Sequence, residues 1–93
     1  MTAAAEANYP LAIQEFQTAA SLDPELDPSL YYNLGLAYAQ LHRYDEAIIA
    51  YLHQRANDVD DYDNELALAR AYQAKGMRLQ ADEAMRLAAQ LKK

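Results

Sequence analysis

The strongest constraint on this chain is that it repeats itself. Leu34, Gly35, Tyr38 and Ala47 recur as Leu68, Ala69, Tyr72 and Ala81, each 34 residues further on. Upstream, Tyr9, Ala12, Ile13 and Phe16 recur as Tyr44, Ala47, Ile48 and Tyr51 at an offset of 35. The additional residue falls in the 23–28 turn, where insertion costs little. A unit of this length at fixed spacing is one supersecondary element that stacks on its neighbours to bury its apolar face.

The unit is a pair of helices. Tyr31, Leu34, Tyr38 and Leu41 fall three or four residues apart and so share one stripe of an α-helix. Gly35 sits in the middle of it, where glycine costs about 1 kcal/mol relative to alanine. That cost is reasonable if a second helix must approach closely there. A second amphipathic stretch starts at Tyr44, and His42-Arg43 is the turn between the two. A non-glycine residue in the left-handed conformation of such a turn costs roughly 1–2 kcal/mol. With only 2 Gly and 3 Pro among 93 residues and abundant Ala and Leu, the composition also favours an all-α chain.

Five helices are predicted. The first runs over 9–22, with Asn8 as N-cap, Pro10 in the first turn, and Ala12, Ile13, Phe16, Ala19, Ala20 and Leu22 on one face. It stops near Asp23-Pro24. Residues 2–7 read as the tail of an earlier helix. The second covers 28–41, capped by Asp27 with Pro28 in its first turn. The third covers 44–56 and buries Ala47, Ile48, Tyr51 and Leu52. The fourth, 62–75, presents Leu68, Ala69 and Tyr72 and stops at Lys75-Gly76. The fifth, 78–91, uses Ala81, Ala84, Met85, Ala88 and Leu91, with Met85 as a gap-filling core residue.

Tyr31-x-x-Leu34-Gly35-x-x-Tyr38, followed by Ala47-x-x-x-Tyr51, resembles the tetratricopeptide repeat, whose period is about 34 residues. Ala12-x-x-x-Phe16 with Pro24 resembles the second half of an earlier repeat. Leu68-Ala69-x-x-Tyr72 with Ala81-x-x-x-Met85 resembles a more degenerate later one. The resemblance implies an α-solenoid of antiparallel helical hairpins, about two and a half repeats wound into a right-handed superhelix. Its units would be 1–24 (partial, mainly the second helix), 28–57 and 62–91. Three residues depart from the pattern. Glu65 stands where a large aromatic is usual, Val59 replaces the closing proline, and Gln54 replaces a small residue. Atypical packing is expected where the second unit ends.

By the same resemblance, first helices line a concave groove that takes a peptide or helix of a partner protein. The groove candidates are Tyr32, Asn33, Leu36, Ala39 and Gln40, with Asp63, Leu66, Ala67, Arg70, Gln73 and Ala74 from the next unit. The core set is Tyr32, Asn33, Leu36, Gln40, Leu66, Arg70 and Gln73. Apolar anchors, amides and one arginine suit a peptide held by one or two apolar side chains, with amides reading its backbone. Family members that grip a C-terminal carboxylate use Lys and Arg on three consecutive first helices. Here Asn33 alone fits that pattern, and Asp63 and Ala67 do not.

Other functions find little support in the residues. His42 and His53 have no companion Ser, Cys or ligand set at recognisable spacing, so the chain reads as a non-enzyme without cofactor or metal. The acidic stretch Asp58, Asp60, Asp61, Asp63 lacks the central glycine and the twelfth-position Glu of a calcium loop. It reads as a linker whose last acids cap the next helix. There is no cysteine, which excludes disulfides. A net charge of −6 weighs against nucleic acid and anionic membranes as partners. Neither a signal peptide nor a membrane span is recognised, so cytoplasmic residence is the default expectation. The charge is also lopsided. Residues 1–42 hold no Lys or Arg, whereas 70–93 hold Arg70, Lys75, Arg78, Arg86, Lys92 and Lys93. With Leu79, Leu87 and Leu91 near one end and an unpaired helix at the other, this motivates two alternatives. One is a self-assembly module, head-to-tail or helix-swapped; the other is a regulatory fragment of a larger protein.

Overall fold

A computed structural model describes residues 8–23, 25, 27–58 and 60–92. The Ala-rich 2–7 stretch, Pro24 and Val59 lie outside the described residues. Five helices follow one another: α1 (Tyr9–Leu22), α2 (Leu30–Gln40), α3 (Tyr44–Asn57), α4 (Tyr62–Ala74) and α5 (Arg78–Lys92). Helices α2 and α3 form one antiparallel hairpin, and α4 and α5 form another. Helix α1 packs on α2, α4 packs on α3, and α2 also touches α4. The result is an all-α stack of hairpins.

The two hairpin turns have the same construction. In the first, His42 adopts φ 60°, its N–H donates to Ala39 O at 2.9 Å, and Arg43 N donates to Tyr38 O at 2.9 Å. In the second, Gly76 adopts φ 76°, donates to Gln73 O at 3.0 Å, and Met77 N donates to Tyr72 O at 2.8 Å. Both are Schellman-type stops that satisfy the last carbonyls of a helix. Glycine adopts this conformation without strain, whereas His42 carries the steric cost of a Cβ there.

Gly35 lies in the α2–α3 contact. A Cβ built on it would stand 2.6 Å from Tyr51 Cδ1 and 2.9 Å from Cζ, with Cε1 closer still. The Tyr51 ring is itself buried, so the glycine makes room for an immobile aromatic. Around this contact the core collects Leu34, Ala37, Tyr38, Ala47, Ile48, Tyr51, Leu68, Ala69 and Ala84, with Ile13 joining from α1.

Several expectations need correction. Helix α2 begins at Leu30 rather than Pro28. The Asp27 carboxylate accepts the Ser29 N–H at 2.9 Å and its carbonyl accepts from Leu30 N at 3.0 Å, closing a turn over Pro28 instead of capping the helix. Leu52 is 38% exposed, because it points away from the α3 face that meets α2 and α4. Leu22, in the last turn of α1, is 81% exposed. Met85 is not a core residue but 42% exposed. It stands 34 residues after Tyr51, which α4 roofs over, and no described helix follows α5 to do the same.

Candidate functional site

The two first helices of the hairpins, α2 and α4, carry the groove candidates. Tyr32, Asn33, Leu36 and Leu66 are half-buried, while Gln40, Arg70 and Gln73 are exposed. Ala39 and Ala67 are half-buried, and Asp63 and Ala74 are exposed. Tyr32, on α2, lies within electrostatic reach of Asp63 and Arg70 on α4. Its ring lies 6.3 Å from the Tyr51 ring, tilted by 42°, and packs against the core. Burial pushes its hydroxyl above the ordinary tyrosine range. The charges of Asp63 and Asp61 push it further, and Arg70 opposes them. Tyr32, Asp63 and Arg70 therefore share one electrostatic neighbourhood that bridges α2 and α4. Asn33 and Gln40 sit on the same helix as Tyr32.

At position 65, α4 meets α3 through polar contacts rather than through an aromatic ring of its own. Glu65, where the repeat pattern would have a large ring, is 2% exposed. It accepts from Arg55 Nε and Nη2 at 2.8 Å each, a bidentate pair. The Glu65 hydrogen bond is the main reason that the Arg55 guanidinium is held even more firmly protonated than usual. Beside it, Gln54 Nε2 donates to Pro28 O at 2.8 Å and to Asp61 Oδ2 at 3.1 Å, tying the ends of α3, α2 and α4 together. Asn64 Nδ2 donates to Tyr51 O at 2.9 Å. Asp61 caps α4 by accepting from Asn64 N at 3.1 Å, as the linker reading expected. Gln54 Oε1 and Asn64 Oδ1 are buried without a hydrogen-bond partner.

This junction was missed in the sequence. Glu65 stood out there as a departure, but its partner Arg55 lies ten residues earlier, on a different helix. No helical spacing links the two. In physical terms the junction ties α4 to α3 and to the start of α2.

The histidines serve packing. His53 stacks on Tyr31 at 4.8 Å with 17° between planes, and His42 Nδ1 lies 2.9 Å from the Tyr44 hydroxyl. Among the described residues no group of three or more His, Cys, Asp or Glu is arranged to hold a metal ion. No described helix is long and apolar enough to cross a membrane.

Comparison with known proteins adds two findings. Residues 5–41, which span α1 and α2, match the family model described as a TPR repeat. The fold is similar to the crystal structure of MamA, with a TM-score of 0.86 and 27% sequence identity over 91% of this chain. The chain spans about half, 49%, of the MamA chain it matches. No similar sequence is found among curated proteins.

Proposed function

We propose that this chain, a tetratricopeptide-repeat protein, binds a peptide or helix of a partner protein on the surface shared by α2 and α4. Tetratricopeptide repeats are in general protein-interaction modules, so the finer question is which surface is used and by what chemistry. The observation that carries the reading is the Tyr32 neighbourhood. A half-buried aromatic packs on the core, as Leu36 of the same helix does, and feels the charges of Asp63 and Arg70 on α4. Aromatic and arginine side chains on a rigid support are the usual anchors of protein recognition. Asn33, Gln40 and Gln73 supply donors and acceptors for a bound backbone. The role is that of a scaffold without chemistry of its own.

The test is a displayed peptide library selected on the wild-type chain, with recovered peptides re-measured on Tyr32→Ala combined with Arg70→Ala. Loss of binding with unchanged helicity supports the reading. Peptides that bind the double variant as tightly as wild type would sink it.

A second reading, self-assembly, is favoured by a separate observation. Leu22 and Leu79 are each 81% exposed on different ends of the stack, where the flanking charge is acidic and basic respectively. Light scattering after size exclusion at low and high salt addresses it. A strict monomer at high concentration in both buffers eliminates it. A role as the regulatory part of a longer protein is compatible with either reading.

A further inference from the structure

The outward face of α3 differs from those of the other two second helices. Ile49, Leu52, His53 and Ala56 lie on it at i, i+3, i+4 and i+7, and Ile49 is 58% exposed. The corresponding positions on α1, 35 residues earlier, are Gln14, Gln17, Thr18 and Ser21. On α5, 34 residues later, they are Glu83, Arg86, Leu87 and Gln90. In the places of Ile49, Leu52 and Ala56 the other two helices carry only polar or charged residues, so repeat packing makes no demand for apolar side chains there; Leu87, in the place of His53, is the one apolar equivalent. An exposed apolar patch that the fold does not need points to a partner.

The patch has shape and charge. Between α2 and α3 lies a cleft of about 210 Å³ walled by Tyr31, Leu34 and Tyr38 on one side and Ile49, Ala50 and His53 on the other. The Tyr31–His53 stack bridges the two walls at one end of the cleft. Along the same seam, Ala50, His53 and Asn57 follow at i, i+3 and i+7, and across it Leu34, Tyr31 and Pro28 follow at steps of three. The seam ends in a second recess lined by Glu25, Asp27, Asn57 and Asp58, where among the described residues there is no Lys or Arg. The C-terminal carbonyls of α3 add to its negative potential. At the other end of the cleft, Glu46 is paired with Arg43 at 2.7 Å, so the uncompensated charge is at the recess. From Ala50 to Asn57 is about 10 Å along the helix, or two turns.

An occupant must therefore present a bulky apolar side chain and a cation about 10 Å apart on one face. An extended segment covers that distance in three residues, whose side chains then point to opposite faces. A helix does it with residues seven apart. This chain carries such a pair. On α5, Leu79 is 81% exposed and Arg86, seven residues on, is exposed too. Between them Asp82 and Glu83 would come over the His53 ring, and Arg78 would come near Glu46. We propose that the α2–α3 cleft receives α5 of a second copy, with Leu79 in the cleft and Arg86 in the Glu25–Asp58 recess. The cleft and α5 are different surfaces, so the contact is heterologous. It goes beyond the groove reading, which uses another face, and gives the self-assembly reading a specific contact.

Complementation tests this directly. Ile49→Gln blocks the cleft with the residue that α1 carries at that position, and Leu79→Gln blocks the inserted side chain. Both sites are exposed, and thermal melts by circular dichroism verify that both variants fold as wild type does. Sedimentation velocity on the wild type is expected to show concentration-dependent association that weakens with salt. Each variant alone is expected to associate roughly tenfold more weakly, the loss of one anchor side chain. Mixed together, the two variants have one intact contact and should form a 1:1 complex. Arg86→Glu should abolish association, and adding Glu25→Arg with Asp58→Arg should restore it. A monomeric wild type overturns the proposal together with the self-assembly reading. Association as tight in Leu79→Gln alone as in the wild type, or a mixture that fails to complement, overturns this contact while leaving self-assembly standing. Tyr32→Ala with Arg70→Ala is expected to leave association unchanged, which separates this contact from the groove.

Discussion

Replacing Gly35 by alanine tests the central packing argument, because two opposing effects can be weighed. Alanine is the better helix former by about 1 kcal/mol. Against this, its Cβ would stand 2.6 Å from Tyr51 Cδ1 and 2.9 Å from Cζ, below any ordinary contact. The ring cannot swing aside freely, since Tyr51 is 1% exposed and packed among Leu34, Ala47 and Leu68. Inserting a methyl into such a core costs about 1–3 kcal/mol, and a clash with three ring atoms belongs at the upper end. The net expectation is a loss of about 2 kcal/mol, or a fall in Tm of roughly 10 °C for a domain of this size. The second hairpin supplies the control, because at the corresponding positions it pairs Ala69 with Met85. In a Tyr51→Met background, itself destabilised, Gly35→Ala should therefore be neutral or stabilising by up to about 1 kcal/mol. Urea and thermal unfolding followed by circular dichroism at 222 nm give both legs of the cycle. If Gly35→Ala stabilised the wild type, or cost the same in both backgrounds, the ring would not be the reason for the glycine.

Three further outcomes are expected. Arg55→Ala leaves the Glu65 carboxylate buried without its partner and should cost about 2–3 kcal/mol, less than for a fully dry pair because Arg55 is itself 31% exposed. Glu65→Leu should cost less, since the freed arginine can reach water; urea midpoints that rank the two the other way would refute this. His42→Gly relieves the φ 60° strain but forfeits an exposed hydrogen bond to Tyr44, for a net gain of about 0.5–1 kcal/mol readable in the same assay. Alkaline titration should single out Tyr51, whose hydroxyl is pushed up, mainly by burial. Its folded pKa lies above the unfolded value of about 10, so the contribution is fully present below pH 10 and is lost as pH rises toward the folded pKa. Absorbance at 295 nm should show its ionisation only together with unfolding, and Tyr51→Phe should flatten the loss of stability above pH 10.

The helices and their pairing were legible because their signals are local or periodic. Leu34 and Tyr38 recur with Leu68 and Tyr72, and Gly76 and His42 mark the two turns in equivalent places. The cap of α2 was misplaced for a local reason. An Asp-Pro-Ser sequence offers the aspartate two uses, cap or turn, and the carboxylate of Asp27 closes the turn. The remaining misreadings have a common origin in the repeat itself. A period assigns equivalent residues to equivalent faces of their helices, but burial depends on what stands opposite. Tyr51 and Met85 hold the same place in their units, yet one is sealed under α4 and the other is open at the end of the stack. Tyr31 and Glu65 are likewise equivalent. The first leans on His53 at the edge of a surface cleft, while the second is enclosed and must find a cation, which Arg55 provides.

The same reasoning explains why the candidate surfaces were less legible than the core. Tyr32, Leu66 and Arg70 were chosen because first-helix positions were read against a family pattern, which implies which face looks inward. Leu52 was assigned by amphipathicity alone and taken for core, and Ile49 was given no role. Amphipathicity cannot distinguish an apolar residue that the fold buries from one left outside for a partner. The distinction comes from comparing units at the same register. A position that is Gln on α1 and Glu on α5 but Ile on α3 is under no packing requirement to be apolar. In a repeat chain, departures between equivalent exposed positions are therefore where function is to be sought, and shared residues are where the fold is. Gly35 and Ala69 differ because their partners Tyr51 and Met85 differ; Ile49 differs from Gln14 and Glu83 with no such partner among the described residues. By that criterion Gly35 belongs to packing, and Ile49 belongs to an interface.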